Sequence, residues 1–191
     1  MKKTSIALAL ALSSITASQS LSSNIEGQWF LHKFGELRSY HGDFLNVCSG
    51  AEFKFCRTVQ YGFDKRPEER FFGDTRLSIA DSRSADGTSK SYTIEIFINS
   101  LPDKPTGPFI FSVDGEIFAP KAGQVVSGSP EGYNVSQTFS ITDPALTTKM
   151  IKAMRMGNSL RVLHDGYRET RFQLRGISSA LDANDVQMNG Q

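Results

Sequence analysis

The two cysteines are the side chains in this sequence with the most definite chemistry. Cys48 and Cys56 lie eight positions apart, and a Ser-Gly pair typical of a turn lies between them. Redox-active cysteine pairs usually have two intervening residues, so this spacing favours a structural disulfide over a catalytic dithiol. We therefore predict that Phe44–Cys48 and Phe53–Tyr61 form a hairpin, with the disulfide across it on the more polar of its two faces.

The histidines form no recognisable catalytic or metal-binding pattern. His32, His41 and His164 lack metal-ligand spacing, and the chain has no serine-nucleophile, zinc-protease or phosphate-binding-loop motif. A hydrolase built on His164 with Asp165, or on His41 with Asp43, needs an activated nucleophile that the sequence does not reveal. We predict no catalytic residue, no metal site and no cofactor, and we keep a hydrolase with an unrecognised site as the last alternative.

Aromatic and basic residues supply the candidate contacts with a partner. The chain has 14 phenylalanines, and the adjacent pair Phe71-Phe72 cannot place both rings on one face of an extended strand. The C-terminal third is rich in lysine and arginine, including Arg168 and Arg171 in a predicted hairpin. Exposed aromatic and arginine side chains are typical of binding surfaces. We predict that these four residues contact a partner; a second buried layer of rings and an ordinary mixed surface remain open alternatives.

The N-terminal residues predict export. Lys2 and Lys3 precede the apolar run Ile6–Leu12, and small and polar residues follow as far as Ser20, which is typical of a secretory signal peptide. The apolar run is much shorter than the roughly 20 residues of a membrane-spanning helix. We predict a signal peptide over residues 1–20, cleaved near residues 17–20, and a periplasmic or secreted mature protein with no transmembrane segment. Disulfides persist in such oxidising compartments.

The length and composition indicate one small globular domain. The chain has 191 residues, and 39% of them are hydrophobic, which is enough to bury a core. The formal net charge is +1, so the overall charge does not indicate binding to nucleic acid. We predict a single β-sandwich domain over residues 25–183 and a polar tail over residues 184–191.

Short apolar or β-branched runs divided by polar turns predict a mainly antiparallel fold. Asp-Gly pairs between such runs are the strongest short-range hairpin signal. The predicted strands outside the cysteine hairpin are Trp29–Phe34, Thr75–Ala80, Ser91–Ile98, Phe109–Val113, Glu116–Ala119, Leu160–His164 and Arg168–Leu174. These strands favour an antiparallel β-sandwich or an open barrel.

Two segments predict helices. Asp143 and Pro144 are typical of the N-cap and the first position of a helix, and Gly157 is typical of its end. The apolar residues between them follow helical spacing, so this helix is amphipathic. A second, short helix is predicted to start near Ser178.

Three stretches of the chain resemble the invasion-associated locus B family and a related exported bacterial domain family of unknown function. They are Gly42–Cys48 followed by Cys56-Arg57, Asp143–Val162, and Phe172–Leu181. The resemblance spans about residues 34–187. Phe44 stands where those families usually have tryptophan, and a second cysteine pair that many members carry between Gln124 and Phe139 is absent here.

This resemblance implies a periplasmic or surface-associated β-sandwich without catalytic residues. The namesake family is associated with invasion of host cells by bacteria. We therefore expect an exported, non-enzymatic protein that binds an envelope or host protein component. A carrier of a small apolar ligand is the alternative, because the sheets are rich in aromatic residues.

Overall fold

The computed structural model describes residues 25–50, 55–61, 75–83, 90–98, 108–128, 137–165 and 169–189. Within these ranges the chain forms twelve strands and two helices. In chain order they are β1 (Phe30–Leu31), β2 (Leu37–His41), β3 (Phe44–Ser49), β4 (Phe55–Tyr61), β5 (Thr75–Arg83), β6 (Lys90–Ile98), β7 (Phe109–Val113), β8 (Glu116–Phe118), β9 (Val125–Ser127), β10 (Thr138–Ile141), α1 (Pro144–Met156), β11 (Ser159–His164), β12 (Thr170–Gln173) and α2 (Ile177–Asn189). The predicted signal peptide lies outside the described residues. No helix among those described is long and apolar enough to cross a membrane.

The strands pair antiparallel in two sheets. The larger sheet has the order β1-β2-β3-β4-β5-β6-β10-β9, and the smaller sheet has the order β12-β11-β7-β8. β2 to β6 follow one another in chain order across the larger sheet, as an antiparallel meander. The predicted fold class, a mainly antiparallel β-sandwich with two helices, is confirmed.

One core lies between the inner face of the larger sheet, the smaller sheet and the two helices. Phe109 on β7 and Phe139 on β10 join the two sheets, with their ring centroids 4.7 Å apart. α1 packs chiefly on β6, and α2 packs on β3 and β4. The larger sheet therefore has one face in the core and one face turned outward, as antiparallel sheets commonly do.

The predicted signals of α1 are confirmed. The side chain of Asp143 caps the helix by accepting a hydrogen bond of 2.8 Å from the backbone N–H of Leu146. This backbone donor holds the pKa of Asp143 below its usual value. The helix ends at Met156, and the backbone N–H of Gly157 closes the last turn onto the carbonyl of Met154.

The predicted first strand Trp29–Phe34 is wrong in extent. Only Phe30–Leu31 is a strand, and the chain then turns at Gly35, which has a φ of +77° and donates its N–H to the carbonyl of His32. The strand Leu37–His41 after this turn was not predicted. Its alternation of polar and apolar residues does not follow burial, because Ser39 and His41 are the inward-facing residues.

The prediction of a polar tail from Asn184 is also wrong, because α2 continues to Asn189. Ile177, Ala180 and Leu181 are buried along one side of this helix, and Asn184 continues the same side at 0% exposure. The predicted helix ended too early because Asn184, which is polar, lies on the buried side of α2. Its side chain is satisfied by the sheet beneath it, as the hydrogen bond from its Nδ2 to Thr58 Oγ1 shows at 3.0 Å.

Candidate functional site

The predicted disulfide is present and structural. Cys48 and Cys56 are directly opposite residues of β3 and β4, and their sulfur atoms are 2.06 Å apart. They share a hairpin face with the polar residues Asn46 and Thr58, as predicted, but α2 covers that face. The cysteines are 0% and 3% exposed. A bridge buried to this degree is closed to attack by another protein's thiol, so its role is to fix the β3–β4 hairpin.

The opposite face of the same strands forms a concave surface. Its cavity measures about 720 Å³. We name it the outer trough, and the described residues that line it are Glu36, Arg38, Tyr40, Gly42, Asp43, Phe44, Leu45, Val47, Ser49, Arg57, Val59, Tyr61, Arg76 and Ser78. Strand alternation builds it, because every second residue of β2, β3, β4 and β5 points away from the core.

The floor of the outer trough is aliphatic although it faces outward. Leu45 and Val47 of β3 lie beside Val59 of β4, with Leu45 and Val59 directly opposite each other. Outward-facing positions of an antiparallel sheet are usually polar, because water covers them. An aliphatic strip there, flanked by tyrosine and arginine, has the composition of a protein-binding surface.

Charged side chains of both signs line the described part of the outer trough. Arg38, Arg57 and Arg76 line it together with two carboxylates. One carboxylate, Glu36, pairs with Arg38, whose Nε lies 2.9 Å from Glu36 Oε2. The other, Asp43, accepts a hydrogen bond of 2.6 Å from Arg175 at the turn before α2. Both carboxylates of the described lining are therefore paired with arginine side chains.

The sequence predicted other contact residues, of which the structure describes only Arg171, and Arg171 is not part of the described lining of the outer trough. Arg171 is exposed on the outer face of the smaller sheet, opposite Arg161 of β11, and donates to Ser159 Oγ at 3.3 Å. The outer faces of the two sheets lie on opposite sides of the sandwich. Phe71, Phe72 and Arg168 lie outside the described residues, so their part in binding stays a prediction.

The structure does place a serine beside a histidine, as a hydrolase would need, but both side chains lie in the core. Ser39 Oγ lies 3.0 Å from His41 Nε2. Ser39 is 0% exposed, so no substrate reaches its hydroxyl. Asp43 pairs with Arg175 rather than with His41, and His164 Nδ1 contacts the backbone carbonyl of Asp165 at 3.2 Å. The described residues also contain no cluster of three or more potential metal ligands.

Burial of His41 makes stability depend on pH. Desolvation lowers the pKa of His41, and the nearby charge of Glu26 opposes this in part. A lowered pKa means that the unfolded chain binds the proton more tightly, so stability is complete above about pH 6.5 and declines as the pH falls toward the folded-state pKa. We expect the free energy of unfolding to fall as the pH is lowered below about 6.5.

The variant His41→Gln checks the source of this dependence. It keeps a polar group near Ser39 and removes the titration, so its stability is expected to change less over the same interval. Urea denaturation at half-unit pH steps measures both proteins. An unchanged slope in His41→Gln would assign the dependence to another group.

No family model, characterised protein or solved structure matches the chain. None of these comparisons links it to the invasion-associated locus B family, and that assignment stays a prediction.

The sequence contained a usable signal for the outer trough. Arg57, Val59 and Tyr61 alternate on one face of a predicted strand, and Arg76 and Ser78 alternate on the next. Only the pairing of these strands, with Val59 opposite Ser78 and Tyr61 opposite Arg76, brings the two sets together. Exposed aromatic residues and basic clusters, taken alone, do not reveal this periodicity.

Proposed function

We propose that this protein is an exported, non-enzymatic binding protein that recognises a protein component of the bacterial envelope or of a host through the outer trough. The observation that carries the proposal is the outward-facing aliphatic strip of Leu45, Val47 and Val59 between arginine and tyrosine side chains. Burying such a strip against a partner is favourable, and its flanking groups supply specificity.

The surroundings of the strip support binding over catalysis. The described lining is mostly aliphatic, phenol and guanidinium groups, its two carboxylates are paired with arginine, and the Ser39–His41 pair belongs to the inner face of β2. Tyr40 is 39% exposed and stacks on Phe30, with ring centroids 5.9 Å apart. A ring already held by a neighbour loses little freedom when a partner packs on it.

The test is site-specific photo-crosslinking of the mature protein in its own envelope fraction and with host-cell extracts. A photoreactive side chain at position 47 lies in the outer trough. The same group at position 117 is the matched control, because Ile117 is 69% exposed on the edge strand of the smaller sheet. We expect one protein adduct at position 47 that is absent at position 117. Equal patterns at the two positions would overturn the assignment to the trough.

A carrier of a small apolar ligand is the second candidate. The volume of the outer trough, about 720 Å³, lies within the range of small-molecule sites. A lipid adduct at position 47 and no protein adduct would favour this candidate over the protein partner.

A further inference from the structure

We propose that Ser78 is a recognition residue of the outer trough, and that its hydroxyl donates a hydrogen bond to a neutral amide carbonyl of the protein partner. The inference rests on the proposed function and names a chemical group that the partner presents to the trough. Two observations carry it: an unsatisfied hydroxyl group in the lining, and the chemistry of the side chains around it.

The hydroxyl of Ser78 is buried and unsatisfied. Ser78 lines the outer trough and is 2% exposed, and its Oγ has no hydrogen-bond partner within the described part of the chain. A buried hydroxyl without a partner costs stability, so native proteins rarely keep one unless another group completes it. Because Ser78 lies in the lining of a cavity, an atom of a bound partner can be that group.

Two other buried hydroxyl groups lack this position. Thr75 and Thr138 are 3% and 1% exposed, and the Oγ1 atom of each has no hydrogen-bond partner among the described residues. Neither threonine belongs to the described lining of the outer trough. Of these three hydroxyl groups, the one of Ser78 is therefore the one that a partner in the trough can reach, and Thr138 on β10 provides a matched control.

The lining around Ser78 favours a hydrogen-bond acceptor. The residue opposite Ser78 on β4 is Val59, whose side chain has no polar atom. Arg76 lies on the same face of β5, two residues before Ser78, and its guanidinium carries N–H donors but no acceptor. This guanidinium lies 5.8 Å from the centroid of the Phe97 ring, which restrains it. A group that approaches Ser78 from the trough therefore meets donors beside an aliphatic floor.

The charged groups near Ser78 favour a neutral acceptor over a carboxylate. Glu95 lies directly opposite Ser78 on β6 and is 5% exposed, and both Glu95 and Arg57 already have interaction partners. Arg38 is paired with Glu36. A carboxylate is costly to bury unless the site supplies a full set of partners for its charge. An amide carbonyl needs only hydrogen-bond donors, and a protein partner carries one in every peptide group.

The first experiment titrates the isotope-labelled mature protein with butyramide and with butyrate, and follows the NMR shifts of its backbone amides. The two probes share a propyl group for the aliphatic floor and differ only in the amide or carboxylate. We expect butyramide to cause saturable shifts at Ser78 and Val59, and Ser78→Ala to weaken its binding about threefold to tenfold, because one hydrogen bond is lost. Equal binding by the wild-type protein and Ser78→Ala, or no saturable shift at these positions, would overturn the subsite. Tighter binding of butyrate would overturn the neutral acceptor.

The second experiment adds Ser78→Ala to the protein that carries the photoreactive side chain at position 47. The yield of the protein adduct should fall about threefold to tenfold, while the urea midpoint should stay the same or rise, because an unsatisfied buried hydroxyl is removed. Thr138→Val also removes such a hydroxyl and should leave the adduct yield unchanged. An undiminished yield in Ser78→Ala, or the same loss in both variants, would contradict the role of Ser78. Absence of any protein adduct from the wild-type sequence would count against the proposed function, whereas the NMR titration decides the subsite without a partner.

Discussion

The variant Asn46→Ala is expected to lower the free energy of unfolding by about 2–4 kcal/mol, because the buried Thr58 hydroxyl loses its acceptor, the Ala180 carbonyl loses a donor and a cavity remains. Asn46 donates from Nδ2 to the carbonyl of Ala180 at 2.7 Å and accepts from Thr58 Oγ1 at 2.8 Å. Thr58 in turn accepts from Asn184 Nδ2 at 3.0 Å. All of these side chains are 0% exposed, so water cannot replace the lost hydrogen bonds.

The matched control is Asn158→Ala. Asn158 is exposed, and its side chain donates to Asp114 Oδ2 at 3.1 Å. Water can take over this hydrogen bond, so the loss should be below about 1 kcal/mol. Urea denaturation of the three proteins at neutral pH measures the difference. Similar losses at the two asparagines would contradict the view that α2 is held on the sheet by this buried network.

A double-mutant cycle measures how strongly Asn46 and Thr58 depend on each other. Thr58→Val removes the hydroxyl that joins the two asparagines, and a cycle with Asn46→Ala gives the coupling between the two side chains. Residues joined in one hydrogen-bond network usually couple by about 0.5–3 kcal/mol. Additive losses would mean that Asn46 and Thr58 act independently.

The sequence predicted the parts of this fold that local signals specify. Phe109–Val113 pairs with Glu116–Phe118 around an Asp-Gly turn, and the φ of +48° at Asp114 is the conformation that such a turn needs. The cap of α1 at Asp143 and the disulfide also depend on residues close in sequence. In each case a few neighbouring residues determine the geometry.

The features that the sequence did not reveal depend on distant contacts. Asn46, Thr58 and Asn184 look like surface residues in the sequence, yet they are buried because each finds its partner on another element. Because residue type gives no indication of these partners, the predicted C-terminal helix ended before α2 does. Strands β9 and β10 were not predicted either, since Val125–Ser127 and Thr138–Ile141 are short and carry no strong turn signal.

The candidate site was likewise only partly predictable from the sequence. The alternation of Arg57, Val59 and Tyr61 could be read from the sequence, but which face of β4 is covered by α2 could not. The covered face holds Cys56 and Thr58, and the outward face holds the aliphatic floor of the trough. From polarity alone, the face with Cys56 and Thr58 would be predicted to face solvent and the face with Val59 to face the core. The actual arrangement is the reverse, because α2 supplies hydrogen-bond partners to the buried polar groups.

The close approach of two turns gives the second large expected effect. Gly176, with a φ of +90°, lies against the β2–β3 turn, and a Cβ atom there would be 2.2 Å from the carbonyl oxygen of His41. Gly42 on the opposite side has the same restriction, since its Cβ would be 2.5 Å from the carbonyl oxygen of Arg175. The backbone N–H of Asp43 donates to this same carbonyl at 3.0 Å. The two turns therefore meet backbone to backbone.

We expect Gly176→Ala to lower the free energy of unfolding by about 2–5 kcal/mol, because the left-handed conformation and the steric overlap both contribute. The overlap is with backbone, so rotation of a side chain cannot relieve it. Gly123→Ala is the control: Gly123 has a φ of +86°, and a Cβ there meets no atom within 4 Å. It should cost about 1–2 kcal/mol from conformation alone.

The difference between the two alanine variants isolates the contact between the turns. If the contact orients α2, Gly176→Ala should also raise amide hydrogen exchange in α2 and in β3, whereas Gly123→Ala should leave both elements protected. Equal losses of stability in the two variants would show that the turns can separate without cost. The β2–β3 turn also lies at the end of the outer trough, where Gly42 and Asp43 line it. Displacement of this turn in Gly176→Ala should therefore weaken binding in the trough, although residue 176 itself does not line it.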